Sequence, residues 1–272
     1  MRFFSFFFFS LMILNVNAQH SNLLLGNSYS SNFNQLTYTE ESNFHTSFKP
    51  IVKSDLNFDI DTILGSQVHS EYSNWYLRKI FSEHFFLLKG EDYKIIASPI
   101  INFTLGKEFV EEKNTFTNTR GFIVEGDLGK KISFFSSFAE NQSIFPNYLD
   151  AQIRKNRVVP GQGYQRSFKT TGFDYAMSSG YVSYRANKMF VVQFGHGKHF
   201  IGDGHRSLLL SDNTFNYPYL RLQTRFWKVQ YTNLYTELQD INYFADNGID
   251  NSYFNYDYMG FAKKYMSSHY LS

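Results

Sequence analysis

The feature that most constrains this chain is a period of two that persists well beyond the length of an ordinary soluble strand. In PYLRLQTRFWKVQYTNLYTEL (218–238), Leu220, Leu222, Thr224 and Phe226 share one face, while Arg221, Gln223 and Arg225 share the other. After a turn near Trp227-Lys228, Val229 and Tyr231 alternate with Lys228, Gln230 and Thr232. Successive side chains of a strand point to opposite faces, so this is a hairpin with one oily and one polar side.

The same rhythm runs through the rest of the chain from about residue 91. In DYKIIASPIINFTLG (92–106), Tyr93, Ile95, Ala97, Ile101, Phe103 and Leu105 oppose Lys94, Ser98, Asn102 and Thr104. In GFIVEGDLGKKISFFSSFAEN (121–141), Phe122, Val124 and Leu128 oppose Glu125 and Asp127. The chain turns at Gly129-Lys130, and Ile132, Phe134 and Phe138 then oppose Ser133 and Ser137. Soluble sandwich strands run about 5–6 residues with a charged outer face. These segments are nearer the roughly 9–11 residues that a tilted strand needs to cross hydrocarbon. Aromatic residues make up 19% of the chain, with Phe and Tyr dominant, although mean hydropathy is only −0.35. A soluble core does not need so many rings, whereas girdles at two membrane interfaces do. The fold class expected is all-β: an antiparallel transmembrane β-barrel with a short N-terminal helical region.

The start, MRFFSFFFFSLMILNVNAQHSN, has Arg2, an apolar run from Phe3 to Leu14 and a small-x-small site at Val16-Asn17-Ala18. It reads as a signal peptide, residues 1–18, cleaved before Gln19. Residues 19–90 read as a periplasmic arm and helical plug region, and 91–272 as barrel strands. Within the arm, Ser21 to about Asp61 shows little periodicity. In SEYSNWYLRKIFSEHFFLL (70–88), Tyr72, Trp75, Tyr76, Ile80 and Phe81 recur at three and four, which predicts a helix lying inside the barrel as a plug. A short helical piece, Tyr148 to Lys155, precedes a turn at Pro160-Gly161, and another turn falls at Asn247-Gly248. Long loops of this kind belong outside the cell, with tight turns on the periplasmic side. The formal net charge of +2 gives no sign of a nucleic-acid partner. With no cysteine, disulfides, thiolate metal sites and a lipoprotein anchor are excluded.

Candidate chemistry concentrates in FGHGKHFIGDGHRSLLLSD (194–212). A phosphate cradle there lacks the strand–loop–helix context that glycine-rich loops require. A zinc site could draw on His196, His199 and His205 with Asp203, but the spacing matches no helical His pair. An acyl-transfer triad of Ser207 or Ser211 with His205 and Asp203 would be compressed into nine residues. Neighbours in a strand point to opposite faces, which works against it. The reading preferred is a strand with Phe190, Val192 and Phe194 toward lipid, glycines allowing close packing or a bulge, and polar groups on or near the lumen face. Lys198, His199, Asp203, His205 and Arg206 are then candidate polysaccharide contacts, with no catalytic residue, metal or cofactor.

The stretch GYVSYRANKMFVVQFGHGKHFIGDGHRSLLLSDNTFNYPYLRLQTRFWKVQYTNLYTEL (180–238) resembles the gliding-motility RemB-like proteins, relatives of the Wzi capsule-assembly family. The likeness is most specific in FGHGKHFIGDGHRSLLLSDN, and WYLRKIFSEHFFLLKGEDYKIIASPIINFTLGKE (75–108) looks like the family's passage from helical plug to first strands. The resemblance implies an outer-membrane barrel acting in surface polysaccharide attachment or in gliding and adhesion, and it implies no catalytic residues. Expected partners are outer-membrane lipid, surface polysaccharide and other gliding or capsule proteins, with no nucleic acid. Two alternatives stay open: a barrel lipid or ester hydrolase using Ser207 or Ser211 with His205, and a soluble periplasmic carbohydrate-binding module. Two structural expectations complete the reading. Arg at Leu222 or Phe226 should be refused while Arg at Gln223 is tolerated. And because the family builds a larger barrel than about eight to ten strands at roughly ten residues each, the chain is expected to be a C-terminally truncated fragment. It should form an open, curved sheet with the Tyr265 strand as an unpaired edge.

Overall fold

A computed structural model describes residues 21–25, 44–56, 74–81, 83–240 and 261–272. The long strands are β3 (Tyr93–Glu108), β4 (Lys113–Leu128), β5 (Ile132–Ile144), β8 (Gly172–Arg185), β9 (Phe190–Gly197), β11 (Tyr217–Phe226), β12 (Val229–Asp240) and β13 (Ala262–Leu271). Shorter pieces are β1 (Phe48–Lys49), β2 (Phe86–Lys89), β6 (Val158–Val159), β7 (Gly163–Phe168) and β10 (Phe200–Ile201), with helices α1 (Trp75–Phe81) and α2 (Asn147–Asn156). The main sheet runs β13-β12-β11-β9-β8-β5-β4-β3-β2, and β7 adds to the end of β8. Every pairing is antiparallel. The all-β expectation holds.

Connections at the two ends of the sheet differ in length. At one end lie the tight turns: β4–β5 through Gly129, β8–β9 closed by Ala186 N–H donating to Phe190 O at 3.1 Å, and β11–β12 through Trp227. Trp227 and Gly129 both take positive φ there, the conformation that a tight antiparallel reversal demands. At the other end lie the long links, 145–171 with α2 and β6–β7, 198–216, and the link from β12 to β13, beside one short turn, 109–112, between β3 and β4. Helix α2 falls where the 148–155 spacing placed it. It ends at Arg157 in the left-handed conformation, whose N–H closes on Ile153 O at 2.6 Å. The turn expected at Asn247-Gly248 lies outside the described residues.

The two faces of the sheet are inverted relative to a soluble protein. On the outer face, Ile101 is 80% exposed, Phe194 67% and Phe226 71%, with Phe103, Leu105 and Val182 also exposed. On the inner face, Arg221, Gln223, Gln193, Gln230, Thr232, Ser133 and Ser183 are buried. In water, side chains partition the other way. The strand registers enforce this separation without a slip. Leu222 pairs with Val192, and Gln223 with Val191 and Thr232, so like faces stay together across strands.

Three expectations change. Among the described residues of the stretch 70–88 the helix foreseen is α1, and Phe86 to Lys89 instead form β2 against β3 (Phe86 opposite Ala97, Leu88 opposite Ile95). FFLLK is a short apolar run whose period cannot distinguish helix from strand, and the free edge of β3 decides the matter. Nor is α1 the plug, since Trp75 and Tyr76 are exposed; the inner face is covered instead by residues 21–25 and 44–56. Gln223, finally, is buried and fully engaged rather than facing open lumen. Among the described residues β13 pairs only with β12, so the sheet is open along the Tyr265 strand, as anticipated.

Candidate functional site

The strongest concentration of buried polar chemistry is where residues 44–56, here the strap, cross the inner face of β8, β9, β11 and β12. The strap starts beside the tight turns, with His45 Nδ1 2.9 Å from Ser272 Oγ, and reaches the end with long links at residues 47–49. Strand β1 pairs with β10, Phe48 opposite Ile201, and Gly202 N–H donates to Ser47 O at 2.7 Å. Gly202 sits at φ +130°, a conformation that a side chain rarely adopts. Lys49 Nζ reaches Gly202 O at 2.6 Å and Asp203 Oδ1 at 3.0 Å, and Ser47 Oγ donates to Asp203 Oδ2 at 2.9 Å. Phe48 is buried among Ile201, Tyr217, Tyr219 and Leu234, with the Arg221 guanidinium 5.1 Å from its ring.

Midway, residues 21–25 add a second layer. Leu23 N–H donates to Ile51 O and Lys53 N–H to Ser21 O, both at 2.8 Å. Asn22 and Gln193 exchange side-chain amide bonds at 3.1 and 3.2 Å, and Asn22 N–H donates to the Tyr181 hydroxyl at 2.6 Å. Arg221 donates to Pro50 O and to Gln223 Oε1, each at 2.8 Å. A buried polar face must find its partners within the protein, and here Pro50 O and Asn22 supply several of them, while Ser183 Oγ, Thr232 Oγ1 and Thr236 Oγ1 have none among the described residues.

The strap ends, toward the tight turns, on Asp55. Its carboxylate accepts from Arg185 at 2.6 Å and from Gln223 Nε2 at 2.7 Å, with Arg225 at 3.6 Å. Arg185 also donates to Ser54 Oγ at 2.8 Å, and Arg225 to Gln230 Oε1 at 2.9 Å. Burial pushes the Asp55 carboxyl up. The Arg225 and Arg185 guanidiniums, together with the hydrogen bonds from Arg185 and Gln223, outweigh that and hold it below the usual carboxylate range.

The five sequence-derived candidates do not converge on one surface. His199 is wholly buried between Phe48, Tyr217 and Tyr219, so its ring has no surface to offer a sugar. The Tyr217 hydroxyl accepts from His199 N–H at 3.0 Å and lies 3.3 Å from Nδ1. His199 Nε2 is a buried atom with no partner among the described residues. Burial, reinforced by Arg221, keeps this imidazole neutral with its pKa well below the ordinary value. Lys198 donates to Gly161 O at 2.6 Å, tying two long links together. Asp203 is bound to the strap. His205 and Arg206 lie exposed in the turn between them.

The other readings of the motif can be placed as well. His196 stands on the outer-face register of β9, opposite Gly180 and Pro218, while His199 is sealed inside, so the histidines do not converge. Among the described residues no group of three or more His, Asp or Glu could hold a metal ion. The Ser207 hydroxyl donates to Ile201 O and accepts from Leu209 and Leu210 N–H at 3.1 and 3.2 Å, which folds the loop. Gly195 serves close packing: a Cβ there would lie 2.5 Å from Gly180 O and 2.6 Å from Tyr181 Cβ. Sequence reasoning missed Asp55, Arg185, Asn22 and Gln193. Their only sequence signal was position: Arg185 and Gln193 sit on the polar side of strands, and Asn22 and Asp55 in the arm.

Comparison with family models, with curated proteins and with solved structures returns no match.

Proposed function

We propose that this protein is an outer-membrane β-barrel-type protein that is not an enzyme, and that it binds or organises surface polysaccharide or supports gliding and adhesion at the cell surface. The observation that carries the membrane part is the inversion of faces, with Arg221 3% exposed and Phe194 67% exposed one strand away. Burying an arginine and a row of glutamines while presenting Phe, Ile and Leu outward is costly in water and favourable in lipid. The short turns at one end and long links at the other match the polarity of such proteins, tight on the periplasmic side and extended outside. No helix among the described residues is long and apolar enough to cross a membrane, so in this reading the strands do the crossing. The polysaccharide part rests on the sequence resemblance and on the long polar links at one end.

The test of the membrane part is migration of the full chain on a detergent gel with and without boiling, together with its recovery in the outer-membrane fraction. A heat-dependent mobility shift and outer-membrane recovery support the reading; a soluble, heat-insensitive protein overturns it. The biological part is tested by deleting the gene and scoring colony spreading and capsule staining side by side.

A further inference from the structure

Where β9 ends, the sheet splits. Along one side of β8, β9 pairs with residues 180–185 and β7 with residues 172–175, so residues 176–179 lie between two diverging strands. A cleft of about 440 Å³ opens at this notch, within the roughly 300–1,000 Å³ of small-ligand sites. It lies at the end with long links, and none of the five residues singled out from the motif lines it.

The lining carries donors and acceptors of both signs, set close together. Arg166 and Asp174 are directly opposite each other in the β7–β8 register and both line the cleft, yet no ion pair joins them. A guanidinium fork and a carboxylate held side by side fit a ligand that donates and accepts from adjacent atoms. Neighbouring hydroxyls do this, one oxygen accepting from Arg166 while the next donates to Asp174. Glu140 adds a second carboxylate acceptor, itself 3.6 Å from Arg120. His196 Nδ1 lies 3.2 Å from Ser178 O. A carbonyl only accepts, so Nδ1 carries a proton and donates it there.

One wall is aromatic and firmly held. The Tyr164 ring stacks on Phe261 at 4.8 Å and 4°, its hydroxyl accepts from Phe261 N–H at 3.2 Å, and Phe261 packs in turn against Phe215. Tyr164 and Phe215 both line the cleft. Flat ring faces beside mixed polar groups suit the C–H face of a sugar ring. A phosphate or polyanion would meet Glu140 and Asp174, and an acyl chain would strand several charges against hydrocarbon.

We infer that this cleft is a binding site for a neutral, hydroxyl-rich oligosaccharide, with Arg166 and Asp174 bridging neighbouring hydroxyls and Tyr164 serving as the platform. The ligand class rests on the surface-polysaccharide reading above; the position rests on the geometry alone. The experiment presents the purified full chain, in detergent, to an array of short neutral and acidic oligosaccharides. Isothermal titration of the captured sugar follows, for wild type, Arg166→Ala, Arg166→Lys, Asp174→Ala, Tyr164→Ala and Lys228→Ala. Circular dichroism checks that each variant is folded. The expected result is capture of a neutral sugar, weakened by roughly tenfold or more in the cleft variants, the scale of a lost hydrogen bond to a charged group. Arg166→Lys, which keeps the charge without the planar fork, should also weaken it, while Lys228→Ala, exposed at the opposite end of the sheet, should bind as wild type. A captured sugar indifferent to the cleft variants overturns the site and leaves the polysaccharide reading standing. Capture of acidic sugars alone overturns the neutral class, and capture of nothing overturns both the site and the polysaccharide reading.

Discussion

Replacing Asp55 with Ala should loosen the strap by an amount that the local geometry sets. The carboxylate is the shared acceptor for Arg185 and Gln223 and the nearest counter-charge to Arg225. Breaking a buried ion pair from one side costs about 3–5 kcal/mol, because the remaining charge is stranded. Two features reduce that cost. Arg185 and Arg225 keep Ser54 and Gln230 as partners, and their side chains are 16% and 26% exposed. A loss of about 2–3 kcal/mol in strap docking is therefore expected. Tryptic cleavage after Lys53 reports the population of the released strap when reclosing outpaces cutting; Lys49 is no substitute, because Pro50 follows it. The predicted loss corresponds to cleavage faster by roughly 30–150-fold, at 1.4 kcal/mol per tenfold, after correction for the intrinsic rate on the matching peptide. A rate within about twofold of wild type would refute the claim that Asp55 anchors the strap.

The same carboxylate makes docking sensitive to pH. Its folded-state pKa lies below the ordinary value, so its contribution is complete above about pH 4 and is lost as pH falls through the folded-state value. Hydrogen exchange at the Leu23 and Lys53 amides should rise, beyond its intrinsic pH dependence, only below that range, and Asp55→Asn should remove the step. Gly195→Ala should lower the urea midpoint in detergent by about 1–3 kcal/mol of overpacking, since the added carbon would meet the Gly180 carbonyl; an unchanged midpoint would contradict the close strand approach. Phe194→Arg should impair insertion by about 2–4 kcal/mol near the midplane, whereas Arg at Asn102, exposed on the inner face of β3, should insert normally. Chelation should leave thermal stability unchanged, and metal analysis of the purified protein should find no stoichiometric ion.

Much of the sheet was legible because each strand carries its own evidence. Leu222 beside Gln223, and Phe138 beside Ser137, declare their faces locally, and the folded registers keep both assignments. What stayed hidden depends on contacts across the chain. Nothing near Asp55 in sequence signals Arg185 or Arg225, which lie far downstream and meet it only once the strap crosses the sheet. The same contact makes Gln223 a buried partner, so an arginine there would displace the amide bridging Asp55 and Gln230. His199 followed the polar reading by residue type, but three aromatic rings enclose it. Strand β7 was unreadable because YQRSF lacks a clean alternation and pairs with only the first residues of β8, Gly172 to Tyr175.

In the proposed outer-membrane reading the apolar face of the sheet meets lipid, and adjacent residues of one strand test that directly. The chain has no cysteine, so single cysteines at Phe138 and Ser137 of β5, and at Val182 of β8, can each carry one fluorophore without background. In vesicles holding a lipid-borne quencher, the labels at positions 138 and 182 should be strongly quenched and the label at 137 spared, with the order reversed for aqueous iodide. Equal quenching by iodide at all three positions, with no response to the lipid quencher, would contradict the assignment of the apolar face to the membrane.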